Sequence, residues 1–125
     1  MNNEEFIEIE KTLKKIPLID STDYLELVEK GDYWEKFLFI NSQVRGYYYF
    51  TSKAICFIGG FAGSTKWSIK YECIKSIKKC NVGLFLPYGI KIEAYDENKN
   101  KLVKYKLSLL KRNKWIEYIE NKIKN

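Results

Sequence analysis

Between Gly46 and Ile77 the chain carries a succession of short runs that suit a sheet and little else. Gly46-Tyr47-Tyr48-Tyr49-Phe50-Thr51 is followed at once by Ser52-Lys53 and then by Ala54-Ile55-Cys56-Phe57-Ile58. Two aromatic and β-branched runs joined by two polar residues predict a hairpin. After the glycine-rich loop 59–65, Trp67, Ile69 and Tyr71 alternate with Lys66, Ser68 and Lys70. Strict alternation places the apolar set on one face of a strand and the polar set on the other. Glu72-Cys73-Ile74-Lys75-Ser76-Ile77 continues the series.

The flanks extend this pattern. Ile90, Ile92 and Ala94 alternate with Lys91, Glu93 and Tyr95; after the polar loop 96–100, Val103, Tyr105, Leu107 and Leu109 alternate with Lys104, Lys106 and Ser108. Phe37 to Ile40 is wholly apolar and reads as the first strand, with Asn41 to Arg45 as the turn after it. Residues 4–15 place Phe6, Ile9, Leu13 and Ile16 at helical spacing, with acidic residues early, basic ones late and Pro17 as the stop. A second short helix is expected from the caps Asp20, Ser21 and Thr22, carrying Tyr24, Leu25, Leu27 and Val28 and closed by Gly31. The chain ends in a helix over 111–122 with Trp115, Ile116, Ile119 and Ile123 as its stripe.

The expected class is therefore mainly β with α (α+β). Seven antiparallel strands should form a partly open barrel, capped by the C-terminal helix with Trp115 as stopper and preceded by one or two extra N-terminal helices. Residues 1–35 read as a helical extension and 36–125 as the barrel domain.

Composition narrows the chemistry. A chain of 125 residues is long enough for one core without staples. Its three cysteines form no CxxC pair and it has no histidine, so no metal site, no cofactor and no catalytic group is expected. Cys80, beside Lys78 and Lys79, is the thiol best placed to react, but it has no base partner. Gly63-Ser64-Thr65-Lys66 has the wrong order for a phosphate loop, and a strand follows it. Met1 to Glu5 is acidic and polar, unlike a signal peptide, and no apolar run approaches a membrane span. A soluble, reduced, cytoplasmic protein is expected.

The net charge of +6 conceals a division. Residues 1–35 hold 10 acidic and 4 basic side chains, whereas 36–125 hold 6 acidic and 18 basic ones, so the halves should attract. The candidate anion-binding residues are Arg45, Lys66, Lys70, Lys78, Lys79, Lys91, Lys104 and Lys106. They would meet phosphate groups of a lipid surface or of nucleic acid, or simply face solvent. Phe61 at a loop tip, with Leu84, Phe85 and Leu86 in a second apolar loop, would touch a membrane or partner, or pack beneath the barrel rim.

The element order resembles the pleckstrin-homology-like (PH-like) superfold, and within it the GRAM family and its bacterial relatives. The resemblance rests on Gly46-Tyr47-Tyr48-Tyr49-Phe50-Thr51 with Ile55-Cys56-Phe57, and on the step from Ile74 to Ile77. It implies a binding module without catalytic activity, taking anionic lipid head groups or peptides, cytoplasmic or peripheral at the inner membrane face. The phosphoinositide-binding form places several basic residues in the first hairpin loop. Residues 41–45 offer only Arg45, which argues against such a pocket. Nucleic-acid binding by the same basic surface, and assembly into oligomers through the N-terminal helices, are the alternatives.

Overall fold

The computed structural model describes residues 2–37, 40–82 and 86–124. Helix α1 (Asn3–Lys15) precedes seven strands: β1 (Leu25–Phe37), β2 (Ile40–Thr51), β3 (Ala54–Gly59), β4 (Thr65–Lys70), β5 (Ile74–Val82), β6 (Leu86–Asp96) and β7 (Lys101–Ser108). Helix α2 (Arg112–Lys124) ends the chain. Short 3-10 turns at Phe61–Gly63 and Tyr71–Cys73 flank β4. All strand pairs are antiparallel, and the spatial order is β4-β3-β2-β1-β7-β6-β5.

The sheet curls over itself. Trp67 on β4 reaches across the interior to Tyr105 on β7, with ring centroids 4.8 Å apart, and to Tyr33 on β1 at 5.3 Å. Inside lie Tyr48, Phe50, Ile55, Phe57, Ile69, Ile90, Ile92 and Leu107, the inward set of the alternation. Helix α2 closes one end with Trp115, which is 2% exposed. Tyr118 locks the helix further: its hydroxyl donates to the Glu26 carboxylate, and Lys122 Nζ lies 2.6 Å from Glu26 Oε1.

Only one N-terminal helix forms. The expected second helix over 20–31 is replaced by a turn at Asp20–Thr22 and by β1. The apolar spacing of Leu25, Leu27 and Val28 suits either period, and a ladder with β2 from Leu25↔Thr51 to Phe37↔Ile40 satisfies the backbone along its whole length. Gly31 does not close a helix. It stands opposite Gly46, which stands opposite Gly59. A Cβ at Gly31 would lie 2.7 Å from Leu109 Cδ2 and 2.8 Å from Tyr48 Cε2, so the close crossing of β7's end and a buried ring demands glycine there. Residues 37 and 40–45, expected as a separate first strand and its turn, are the end of β1 and the start of β2.

Helix α1 lies on the outer face of its own sheet. Leu13, Ile19, Leu25, Ala54 and Cys56 form a second apolar cluster there, with Phe6, Ile9, Val28 and Tyr49 around it. The link to β1 is held by Asp23, which is 2% exposed. Its carboxylate accepts from Thr51 Oγ1 at 2.7 Å, from Ser52 Oγ, and from the Lys53 amide at 3.2 Å, so it clamps the β2–β3 turn.

Candidate anion-binding face

Strand register decides which lysines meet. Lys78 on β5 is the direct partner of Lys91 on β6, and Lys91 is the direct partner of Lys106 on β7. Cross-strand partners share a face, and Ile90, Ile92 and Leu107 beside them are buried, so the three ammonium groups stand on the outer face in a row. At about 4.8 Å per strand the row spans roughly 10 Å at the backbone. One step along, Ser76, Glu93 and Lys104 form the next row. One step the other way lie Cys80, Gly89 and Ser108. Among the described residues, the ion pairs are Lys11 with Glu8, Lys14 with Glu10, Lys53 with Asp20 and Lys122 with Glu26; none involves this row.

The other candidates are elsewhere. Lys79 is paired with Ile90, so it falls on the opposite face of β5, in a recess beside α2 lined by Asn113, Glu117 and Glu120. Lys66 and Lys70 are exposed on β4, the far edge of the sheet. Lys70 borders a recess with Asp20, Asp23 and Lys53. Arg45 on β2 stands opposite Asp32. Phe61 is 92% exposed on its 3-10 turn and does not pack under a rim. The turn presents it by placing Gly60, Ala62 and Gly63 at positive φ. Leu86 is half exposed; Leu84 and Phe85 lie outside the described residues.

Trp34 was not legible as part of this face. Its indole Nε1 donates to Ser108 Oγ at 3.1 Å, which lays the ring beside the lysine row. The aromatic pair Tyr33-Trp34 was the available signal, but only the β1–β7 register shows that Tyr33 turns in and Trp34 out. Burial pushes the Cys80 thiol up against the pull of Lys106, Arg112 and Lys91, and burial pushes Cys56 up to about 12. Neither is a thiolate at neutral pH. Among the described residues, no group of three or more Cys, Asp or Glu side chains is placed to hold a metal ion, and no helix is long and apolar enough to cross a membrane.

The attraction between the acidic and basic parts is realised locally. Two ion pairs join them, Asp20 with Lys53 at 3.3 Å and Glu26 with Lys122 at 2.6 Å, and both are away from the lysine row.

Comparison with known proteins turns on the arrangement of strands. A crystal structure of the C-terminal domain of an unknown protein from Leishmania infantum superposes with a TM-score of 0.67 at 19% identity, covering 99% of this chain and 100% of that one. The Vps36 N-terminal PH domain superposes with a TM-score of 0.58 at 15% identity, covering 86% of this chain and 84% of that one. The fold is PH-like. No protein-family model matches the sequence, and no curated protein matches it significantly. At these identities the likeness concerns the PH-like architecture, an open seven-stranded antiparallel sheet with a C-terminal helix.

Proposed function

We propose that this chain is a non-catalytic PH-like binding module that docks to an anionic membrane surface, peripherally and at the inner face, through the outer face of β5–β7. One observation carries the reading: Lys78, Lys91 and Lys106 are directly opposed across three strands, with no ion-pair partner among the described residues. Like charges in that position destabilise a sheet, and an anionic surface removes the cost. Each lysine near such a surface contributes about 1 kcal/mol, screened by salt. Leu102, 53% exposed, and Tyr95 are direct partners at the end of the same face and add apolar contact. Within the PH-like fold the chain reads as GRAM-like, on the β2–β3 hairpin and on Ile74 and Ile77.

Cosedimentation with vesicles containing phosphatidylserine, against neutral phosphatidylcholine vesicles, tests the reading. Binding should need the anionic lipid and fall steeply with salt. Replacing Lys78, Lys91 and Lys106 together by Gln should weaken it on the order of 100-fold. Equal binding of the triple variant, or equal affinity for neutral vesicles, would remove the proposal. Salt-dependent binding of an oligonucleotide with no vesicle binding would reassign the face to nucleic acid.

A further inference from the structure

Strand β7 stops early. It pairs with β1 only at Asp32↔Ser108 and Tyr33↔Leu107, after which the chain turns through Leu109 and Leu110 into α2. Its neighbours do not stop with it. β1 extends back from Gly31 to Leu25, and β6 extends back from Gly89 to Leu86. Among the described residues, no strand pairs with β1 on that side before Asp32, or with β6 on that side before Gly89. Two strands flanking a missing one lie about 9–10 Å apart, the width that admits a single extended chain.

The space is a groove of about 590 Å³, within the range of clefts that hold ligands. Val82 and Leu109 are buried in its wall, while Leu86, Tyr88 and Leu110 are 50%, 51% and 74% exposed and converge on it from two elements. Such convergence of large apolar side chains marks an interaction site. The rim is electrically balanced: Glu29 and Asp32 are offset by Lys30 and Arg45, and Asp32 already accepts from Gln43 Nε2 at 2.7 Å.

We propose that this groove takes an extended, uncharged peptide segment of a partner protein, which enters as a short strand between β1 and β6 in line with β7. An extended polypeptide offers backbone donors and acceptors along both of its edges, which is what two facing strand edges require. The balanced rim selects neither an acidic nor a basic segment. The open strands of a second copy fit poorly, because β4 carries Lys66 and Lys70 and β5 carries Lys75, Lys78 and Lys79. An anionic lipid surface finds no net positive charge here.

The probe is a pool of blocked, uncharged hexapeptides with Val, Leu or Ile at alternate positions, added to the 15N-labelled full chain. Amide shifts should change at Glu29–Asp32, Leu86–Tyr88 and Ser108–Leu110, and exchange at Lys30 and Tyr88 should slow about tenfold or more at saturation. The same pool methylated at alternate backbone nitrogens, with identical side chains, should bind at least about tenfold more weakly. Leu110→Asp and Tyr88→Asp, both at exposed positions, should each do the same. No shifts at millimolar peptide, or equal binding of the methylated pool, overturns the proposal. Retained binding in the Lys78, Lys91 and Lys106 triple variant would show that this groove acts independently of the lysine face.

Discussion

Trp115 stacks on Phe50 with ring centroids 4.5 Å apart and an interplanar angle of 9°. The contact joins the last helix to the middle of the sheet, with Tyr118 set edge-on to both rings at 5.5 and 5.9 Å. Helix α2 is thus part of the core, and its apolar stripe is the barrel's end wall. Trp115→Ala should cost about 3–5 kcal/mol, the usual range for deleting a buried aromatic ring. Urea unfolding followed by far-ultraviolet circular dichroism measures it. A loss below about 1 kcal/mol would mean that α2 is peripheral to stability.

The glycine row makes a different demand. Gly31 has ordinary extended backbone, so the constraint is space: Leu109, the Ser108 carbonyl and Tyr48 occupy the site of a side chain. Gly31→Ala should therefore destabilise by about 1–3 kcal/mol through overpacking, despite alanine's lower entropy cost. A thermal scan in which the variant melts at or above the parent would show that β1 and the end of β7 are not so close.

Asp23 is a polar group on which a turn depends. Replacing it by Ala leaves the Thr51 and Ser52 hydroxyls and the Lys53 amide without their acceptor, at a cost of about 1–3 kcal/mol. Asp20→Ala, at an exposed position, should cost less. Equal effects of the two substitutions in denaturant melts would contradict the clamp.

The alkaline limb of stability follows from burial. Cys56 is raised to about 12, and the hydroxyls of Tyr48, Tyr71 and Tyr118 are raised mainly by burial. In the unfolded chain these groups ionise near pH 9 for the thiol and 10 for the phenols, while the folded protein still holds their protons. The folded state then binds more protons, so stability is full below about pH 9 and falls as pH rises toward the folded values. Cys56→Ala should make the decline between about pH 9 and 12 shallower. Unfolding midpoints in a pH series test this, and an unchanged slope would count against a buried thiol.

The helix at the start, the β2–β3 hairpin and the β6–β7 hairpin were all visible in the sequence, because each is set by periodicity within a dozen residues. β1 was not. Leu25, Leu27 and Val28 fit two periods, and the choice between them was made by pairing partners beyond Ile40. The lysine face was half visible. Alternation placed Lys91, Lys104 and Lys106 outward, but Lys78 and Lys79 are neighbours in sequence and lie on opposite faces, and Lys66 and Lys70 stand at the far edge of the sheet.

Local chemistry alone determined that this protein would be a mainly β molecule with an indole-bearing final helix, since alternating side chains and helical stripes are written into neighbouring residues. Tertiary structure alone decided which cations align, why three glycines face one another and where β7 leaves its groove. Those features arise from register between strands distant in sequence, and a shift of one residue would turn every side chain to the other face.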